Sequence, residues 1–211
     1  RRSRLAPALA ALMGGVALFV SNLNWLDPQI TPLVPVLKSY WLMIHVSVVT
    51  ASYGFFGICA ACGIASLAAT AFGRNLRELR AINEMAMIVG LALLTAGIFF
   101  GAVWANESWG RYWGWDPKET WALITMFAYA LATHSRHIPR LDGPFAFDVL
   151  SVVCFSTVLM TFFGVNYYLS GLHSYGHSGG VSLTVPLIGA SVVIALIAAA
   201  AGRYFKTSKK R

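Results

Sequence analysis

Residues 40–72 read YWLMIHVSVVTASYGFFGICAACGIASLAATAF, a stretch without Lys, Arg, Asp or Glu. At about 1.5 Å per helical residue it is roughly 50 Å long, against about 30 Å of hydrocarbon in a bilayer. The stretch therefore predicts a transmembrane helix that tilts strongly or projects at one end. Counting about 20 residues back from Arg74 puts the outer boundary near Ser52, and leaves His45 on an extension roughly 10 Å beyond it.

The rest of the chain also has the composition of a membrane protein. Of its 211 residues, 57% are hydrophobic and 11% are charged, too few polar side chains to cover a water-soluble domain. Five further apolar runs are long enough to span the bilayer, at roughly 5–20, 85–105, 120–138, 149–169 and 181–201. We predict a single all-α membrane domain over residues 1–211, a polytopic bundle of about six transmembrane helices.

The basic residues predict the orientation of this bundle. Thirteen of the 16 Lys and Arg residues fall at the termini or in alternate loops, which the positive-inside rule assigns to the cytoplasmic side. They are Arg1, Arg2, Arg4, Arg74, Arg77, Arg80, Arg136, Arg140, Arg203, Lys206, Lys209, Lys210 and Arg211. The net charge of +8 is therefore a topology signal, and nucleic acid is not an expected partner. We expect both termini in the cytoplasm or its equivalent compartment.

The outward loop at about 104–121 is dense in aromatic residues. It reads WANESWGRYWGWDPKETW. An interfacial belt has only a few Trp or Tyr residues at each helix end, and Trp104 fits such a belt. A planar apolar ligand explains the rest of the loop better. The side chains expected to pack on it are Trp109, Tyr112, Trp113 and Trp115.

Two histidines are predicted to reach the height of this loop. His45 lies on the projecting end of the second run, and His173 lies a few residues beyond the outer end of the fifth. Two neutral imidazoles on opposite faces of a porphyrin make a six-coordinate haem iron, so the pair predicts a bis-histidine haem site. A single histidine is about as often an interfacial residue bound to water. Arg111 and Lys118 are the nearby cations, and either is a candidate partner for a haem propionate.

A third histidine, His134, lies near the inner end of the fourth run. That run is too short to span unless it continues through His134 to Ile138. An ionisable residue at membrane depth is a functional candidate, here a ligand to haem iron inside the bilayer. No second histidine has a matching depth, because His137 is too close in sequence and His177 lies in a Gly-rich outer loop.

Cys59 and Cys62 form a C-x-x-C pair, which on a soluble fold would suggest thiol redox chemistry. Here the pair lies mid-membrane on an apolar helix. Small buried residues at a helix contact are the better interpretation.

The segment 109–125, WGRYWGWDPKETWALIT, resembles the tryptophan-rich WWD signature of the haem-handling proteins of cytochrome c maturation. Its Asp-Pro-Lys-Glu continuation resembles most the CcsA (ResC) family of the system II pathway. That family brackets the loop with one outward histidine on each side and carries another in the helix that follows. The residues in those positions are His45, His173 and His134, and the resemblance covers about 37–174.

The resemblance implies a cytochrome c synthase (haem lyase) component of the bacterial inner membrane, or of the thylakoid membrane in a plastid. Its substrate and ligand would be haem b, carried outward and presented at the loop to an apocytochrome c with a C-x-x-C-H sequence. The implied partner is a CcsB (ResB) membrane protein, separate or fused, and this or a missing N-terminal part would supply the second intramembrane histidine. The residues assigned to catalysis are His45, His173, Trp109, Trp113, Trp115 and Asp116, and those added for haem binding are His134, Tyr112 and Arg111.

Two other functions remain open from the residues alone. A dihaem b-type anchor that passes electrons to quinone also uses bis-histidine haem, although it normally pairs its histidines within the bilayer. A transporter with a midplane site would be expected to interrupt its apolar runs at matched places, and the sequence has no such pair of interruptions.

Overall fold

The computed structural model describes residues 5–21, 38–74, 76–169, 171 and 183–208. Within these ranges the chain forms helices and no strand. The long helices are α1 Leu5–Ser21, α2 Tyr40–Ala71, α3 Arg77–Trp109, α4 Pro117–Thr133, α5 Pro144–Tyr168 and α6 Thr184–Ser208. Each predicted apolar run corresponds to one of these helices. The predicted all-α polytopic membrane bundle is therefore confirmed.

Four of the helices, α2, α3, α5 and α6, are long and apolar enough to cross a membrane. The other two, α1 and α4, have 17 residues each. That length is roughly 26 Å, slightly less than the hydrocarbon thickness of about 30 Å. Many large apolar side chains are exposed on the bundle, as expected where lipid replaces water.

Helices α2 and α3 are antiparallel and pack closely through glycines of α3. A Cβ added at Gly90 would lie 2.8 Å from Phe56 Cε1, and one added at Gly97 would lie 2.5 Å from Val49 Cγ2. Later residues of α3 therefore contact earlier residues of α2, as expected for an antiparallel pair. Small residues at such contacts let two membrane helices approach each other.

The core lies between α2, α3, α4 and α5. At its centre the rings of Phe56 and Tyr129 are stacked, with centroids 3.6 Å apart and planes 11° apart. Cys59 is a buried free thiol in this core, and Cys62 is also buried and free. The pair therefore lies at helix contacts, as the packing interpretation predicts.

One end of the bundle carries residues 110–116 and is called here the loop end; the other carries Arg74, Arg80 and Arg136 and is called the arginine end. At the arginine end, Arg80 and Asp148 form an ion pair at 3.1 Å, and Asn83 Nδ2 donates to Ser151 Oγ at 2.8 Å. These bonds join α3 to α5. Nearer the loop end, the hydroxyls of Thr125 and Thr161 lie 3.1 Å apart and join α4 to α5.

Helix α4 does not continue through His134 to Ile138, so that predicted boundary is wrong. The helix ends at Thr133, His134 caps it, and a 3₁₀ turn follows over Ser135–His137. At this helix end, Thr133 Oγ1–H and the His134 Nδ1–H both donate to the Ala130 carbonyl, at 2.8 Å each, beside the backbone N–H of His134 at 3.1 Å. Side chains that bond to the last carbonyls compete with further helical turns.

Helix α5 contains a π turn over Met160–Gly164. Such turns insert an extra residue into a helix and are frequent at functional sites. This one contributes Thr161 and Phe162 to the wall of the cavity described next.

Candidate functional site

A cavity of about 300 Å³ lies at the loop end, between α2, α3, α4, α5 and the aromatic loop. This volume is within the range of small-molecule sites. Its lining runs along α2 from Leu42 to Tyr53, which is about 17 Å of helix, and most of the other walls are apolar. A ligand that fills it would contact both the loop and the buried helices.

His45 is held in one orientation by α3. Its Nδ1 lies 2.7 Å from the Gly97 carbonyl oxygen. A carbonyl only accepts, so Nδ1 carries the proton and Nε2 carries the lone pair that can bind a metal. The same edge of the ring also lies against Gly101, where an added Cβ would be 2.6 Å from His45 Cε1 and 2.7 Å from His45 Nδ1. Metal-binding histidines are commonly oriented by such a bond from the second nitrogen to a backbone carbonyl.

Trp104 packs against this histidine and is buried in the bundle, out of reach of lipid headgroups. Its indole is stacked on the His45 ring, with centroids 6.5 Å and planes 12° apart, and the residue is 1% exposed. The prediction of an interfacial anchor is therefore wrong for Trp104. The reason is that α3 extends to Trp109, so that Trp104 still faces α2.

The loop itself is short, because helices α3 and α4 extend into the predicted segment 104–121. Helix α3 ends at Gly110, whose φ of 71° is the left-handed conformation that favours glycine at a helix end. Trp115 is also left-handed, with φ of 56°. A bulky residue in that region is strained, and such strain concentrates at functional sites.

Asp116 and Glu119 fix the start of α4 through a capping box. Asp116 Oδ2 accepts the Lys118 backbone N–H at 3.1 Å. Glu119 Oε2 accepts the backbone N–H of Asp116 at 3.2 Å and that of Gly114 at 2.8 Å. These bonds stabilise the helix start and the loop that precedes it. They give Asp116 a structural role, and its catalytic role stays a prediction.

The predicted aromatic residues divide into two groups. Tyr112 and Trp113 line the cavity, and Trp109 lies behind it, edge-on to Trp104 with centroids 4.7 Å apart. Trp115 contacts Trp113 edge-on at 5.7 Å and is 70% exposed. The loop thus presents one aromatic face to the cavity and another to the surface.

Of the two predicted cations, Lys118 lines the cavity and Arg111 is exposed and packs over Gly114. Lys118 Nζ donates to Asn166 Oδ1 at 2.8 Å. Burial lowers the pKa of the Lys118 ammonium, and the nearby Asp116 carboxylate opposes this effect.

Asn166, Gly97 and Gly101 were not singled out from the sequence. The glycines carry a weak signal, since their spacing of four puts them on one face of α3. Asn166 had a possible signal too, as a polar residue in an apolar run.

His134 lies at the opposite end of α4 from the cavity, roughly 18 Å along the helix from Ala122, the last residue of α4 in the cavity lining. It is exposed, and its ring is 6.5 Å from that of His137. The structure therefore does not bring His134 together with His45. Its role as a ligand inside the bilayer stays a prediction.

His173 and His177 lie outside the described residues. Gly171, two positions before His173 in the sequence, lies against the start of α4. A Cβ added at Gly171 would be 2.9 Å from Pro117 Cδ and closer still to Asp116 Oδ1. The chain beyond α5 thus returns to the aromatic loop just upstream of the second predicted ligand.

Residues 2–173 match the family described as cytochrome C assembly protein. The chain is 50% identical over 183 residues to the protein NrfI of Wolinella succinogenes, which covers 83% of this chain and 20% of that protein. It is 40% identical over 156 residues to the cytochrome c biogenesis protein CcsA of Chlamydomonas reinhardtii, which covers 70% of this chain and 44% of that protein. The CcsA of Prochlorococcus marinus is 33% identical over 211 residues, with 82% of this chain and 66% of that protein covered.

The chain spans between a fifth and two thirds of the length of these curated relatives. The family match covers well over half of the chain, and the relatives confirm the resemblance to CcsA. The chain belongs to the cytochrome c assembly protein family.

Proposed function

We propose that this chain handles haem in cytochrome c biogenesis, holding it in the loop-end cavity and presenting it to an apocytochrome c. The observation that carries the proposal is the fixed tautomer of His45. Its Nδ1–H is bonded to the Gly97 carbonyl at 2.7 Å, which leaves the metal-binding lone pair on Nε2 of a residue that lines the cavity. An imidazole held in this way suits an axial ligand of haem iron.

His173 is the proposed second axial ligand. Its support is its place in the sequence, two residues after Gly171, which contacts the start of α4 beside the cavity wall. With iron held between His45 and His173, Tyr112 and Trp113 would pack on the porphyrin. The exposed Trp115 would face the incoming apocytochrome, and Trp109 would support this wall from behind.

The proposed reaction adds the two thiols of a C-x-x-C-H sequence to the two vinyl groups of haem b. In each addition the S–H bond and the π bond of the vinyl C=C break. Sulfur then bonds to one vinyl carbon and hydrogen to the other. No net electron acceptor is needed. The chain's contribution is placement, because fixing the vinyl edge beside the thiols removes much of the entropic barrier.

A CcsB (ResB) membrane protein is the proposed partner, and the bacterial inner membrane or the thylakoid membrane the proposed location. Ile124, Phe127 and Leu131 form an exposed apolar stripe along α4 that ends at the exposed His134. A partner helix on this stripe would lie next to His134 and could place a second histidine across a haem from it. The partner would thus supply the second axial ligand opposite His134, for which this chain has no histidine at a matching depth.

The test is covalent haem on an apocytochrome co-expressed with the chain and a CcsB partner. His45→Ala and His173→Ala should each abolish most of the haem-stained cytochrome, because each removes one axial ligand. His177→Ala is the control, since it removes another histidine of the same loop and should keep the yield. Full yield from His45→Ala would contradict the proposal. Bound haem without any covalent product would favour the electron-transfer alternative.

A further inference from the structure

Lys118 is a cation in the cavity wall that forms no ion pair within the described part of the chain. The ion pairs there are Arg80–Asp148 and Arg136–Glu84. Its printed side-chain bond is to a neutral amide, Asn166 Oδ1, at 2.8 Å. The Asp116 carboxylate is close enough to favour the charged ammonium, but the cost of burial is larger, so the cavity wall keeps a partly desolvated positive charge.

The carboxylates beside Lys118 in sequence are occupied elsewhere. Glu119 Oε2 accepts two backbone N–H groups of the loop, at 2.8 and 3.2 Å. Asp116 Oδ2 accepts the backbone N–H of Lys118 rather than its ammonium. Both carboxylates thus hold the helix start through backbone N–H groups, and neither forms an ion pair with the Lys118 ammonium within the described part of the chain.

Trp113, another residue of the cavity lining, carries a buried donor. Its Nε1–H is buried and has no hydrogen-bond acceptor among the described residues, although the residue lines the cavity. A buried donor without an acceptor is uncommon, and an absent ligand or water is a frequent cause. An indole only donates, so the missing group must be an acceptor.

Asn166 holds the lysine in place. Its Nδ2–H donates to the Phe162 carbonyl in the π turn at 2.8 Å, which leaves the amide oxygen to face Lys118. A neutral amide can orient an ammonium without neutralising it. The positive charge is therefore kept for another partner.

We propose that Lys118 and Trp113 form a subsite for an ionised carboxylate of the ligand that fills the cavity, with Asn166 positioning the ammonium. The subsite rests on the proposed function, under which this carboxylate is a haem propionate. Of the two cations that the sequence left as candidates, the geometry points to Lys118, because Arg111 is exposed and packs over Gly114. Burial also lowers the pKa of Lys118, which an incoming carboxylate would reverse.

The test compares haem with its dimethyl ester, in which both propionates are neutral. Affinities are measured by absorbance titration of the purified chain. The wild-type chain should bind haem about tenfold or more tightly than the ester, the usual size of a charge-assisted hydrogen bond. Lys118→Met should lower haem affinity by the same factor and leave ester affinity unchanged. Trp113→Phe, which keeps an aromatic ring but removes the N–H, should give a smaller loss of the preference for haem over the ester, about threefold.

Lys38→Met is the matched control, an exposed lysine that is not part of the cavity lining, and it should keep the wild-type preference for haem. Equal haem and ester affinity in the wild-type chain would overturn the subsite, as would equal weakening of both by Lys118→Met. Loss of the preference in Arg111→Met instead would assign the carboxylate to Arg111. A chain that binds neither porphyrin would overturn the proposed function as well, whereas haem bound through His45 without any preference would overturn only the subsite.

Discussion

The two ends of the bundle differ in how their charged side chains are paired. At the arginine end, the main polar side chains pair with one another, as Arg80 does with Asp148 and Asn83 with Ser151. At the loop end, Lys118 forms no ion pair in the described part of the chain, and its ammonium donates to a neutral amide with the Asp116 carboxylate nearby. Among the described residues, buried polar atoms without a hydrogen-bond partner occur at both ends, Asn83 Oδ1 and Asp148 Oδ1 at the arginine end and Trp113 Nε1 at the loop end. Paired charges stabilise a fold, whereas a cation without an ion pair in a cavity wall can bind an anionic group of a ligand.

The largest expected effect lies at the arginine end and concerns stability. Asp148→Ala should lower the free energy of unfolding by about 3 kcal/mol, because it leaves the largely buried guanidinium of Arg80 without its counter-ion. Thermal unfolding in detergent measures this. Glu84→Ala breaks the exposed Arg136–Glu84 pair and should cost less than about 1 kcal/mol. Equal effects of the two substitutions would mean that the ends do not differ as described.

The next effect lies at the loop end and concerns the orientation of His45. A methyl group at Gly101 would lie 2.6 Å from His45 Cε1, so Gly101→Ala should push the ring from its bond to Gly97. Haem affinity should fall about 10- to 100-fold, as when a group that orients a ligand is lost. Absorbance titration measures the change, and Gly54→Ala is the control, because an added Cβ there meets nothing within 4 Å.

A double variant separates orientation from general packing. In a His45→Ala background, with imidazole supplied, Gly101→Ala should have no further effect, since the ring that it displaces is gone. A similar loss in both backgrounds would show that Gly101 acts on the fold and not on His45.

A smaller effect is expected at the helix cap. Asp116→Ala should lower the free energy of unfolding by about 1 kcal/mol, the usual cost of an N-cap. If capping is its main role, Asp116→Asn should restore most of the stability and of the cytochrome yield. Stability restored without yield would support the catalytic role that the WWD motif implies.

The smallest effect on binding is expected for Trp115, which is 70% exposed. Trp115→Ala should change haem affinity by less than about threefold, because little of this ring faces the cavity. Its cytochrome yield should fall further than its haem affinity if the ring meets the apocytochrome. Measuring both on one preparation tests the division of the loop into two aromatic faces.

The helices and the site were not equally predictable from the sequence. Runs of apolar residues revealed each helix, since the length needed to cross a bilayer is a strong constraint. The end of α4 was not predicted, because an apolar pattern does not show that the side chains of Thr133 and His134 bond to the Ala130 carbonyl.

The contacts between helices were harder still. The sequence singled out His45 and the aromatic loop, which line one cavity, but it did not predict the burial of Trp104 or the bond between Lys118 and Asn166. A helix that is apolar on all sides gives no periodic signal of which face meets which neighbour. The π turn in α5 also changes which face of that helix meets its neighbours, and the amino-acid composition gives no sign of the turn.

The proposed function depends on His45 Nε2 binding the iron of haem held in the loop-end cavity. The most direct measurement is the visible and EPR spectrum of the purified chain with haem, compared with that of His45→Gly before and after addition of imidazole. We expect a low-spin spectrum in the wild-type chain. The low-spin signal should be absent in His45→Gly and should return when imidazole is added. A wild-type spectrum from His45→Gly without imidazole would contradict it.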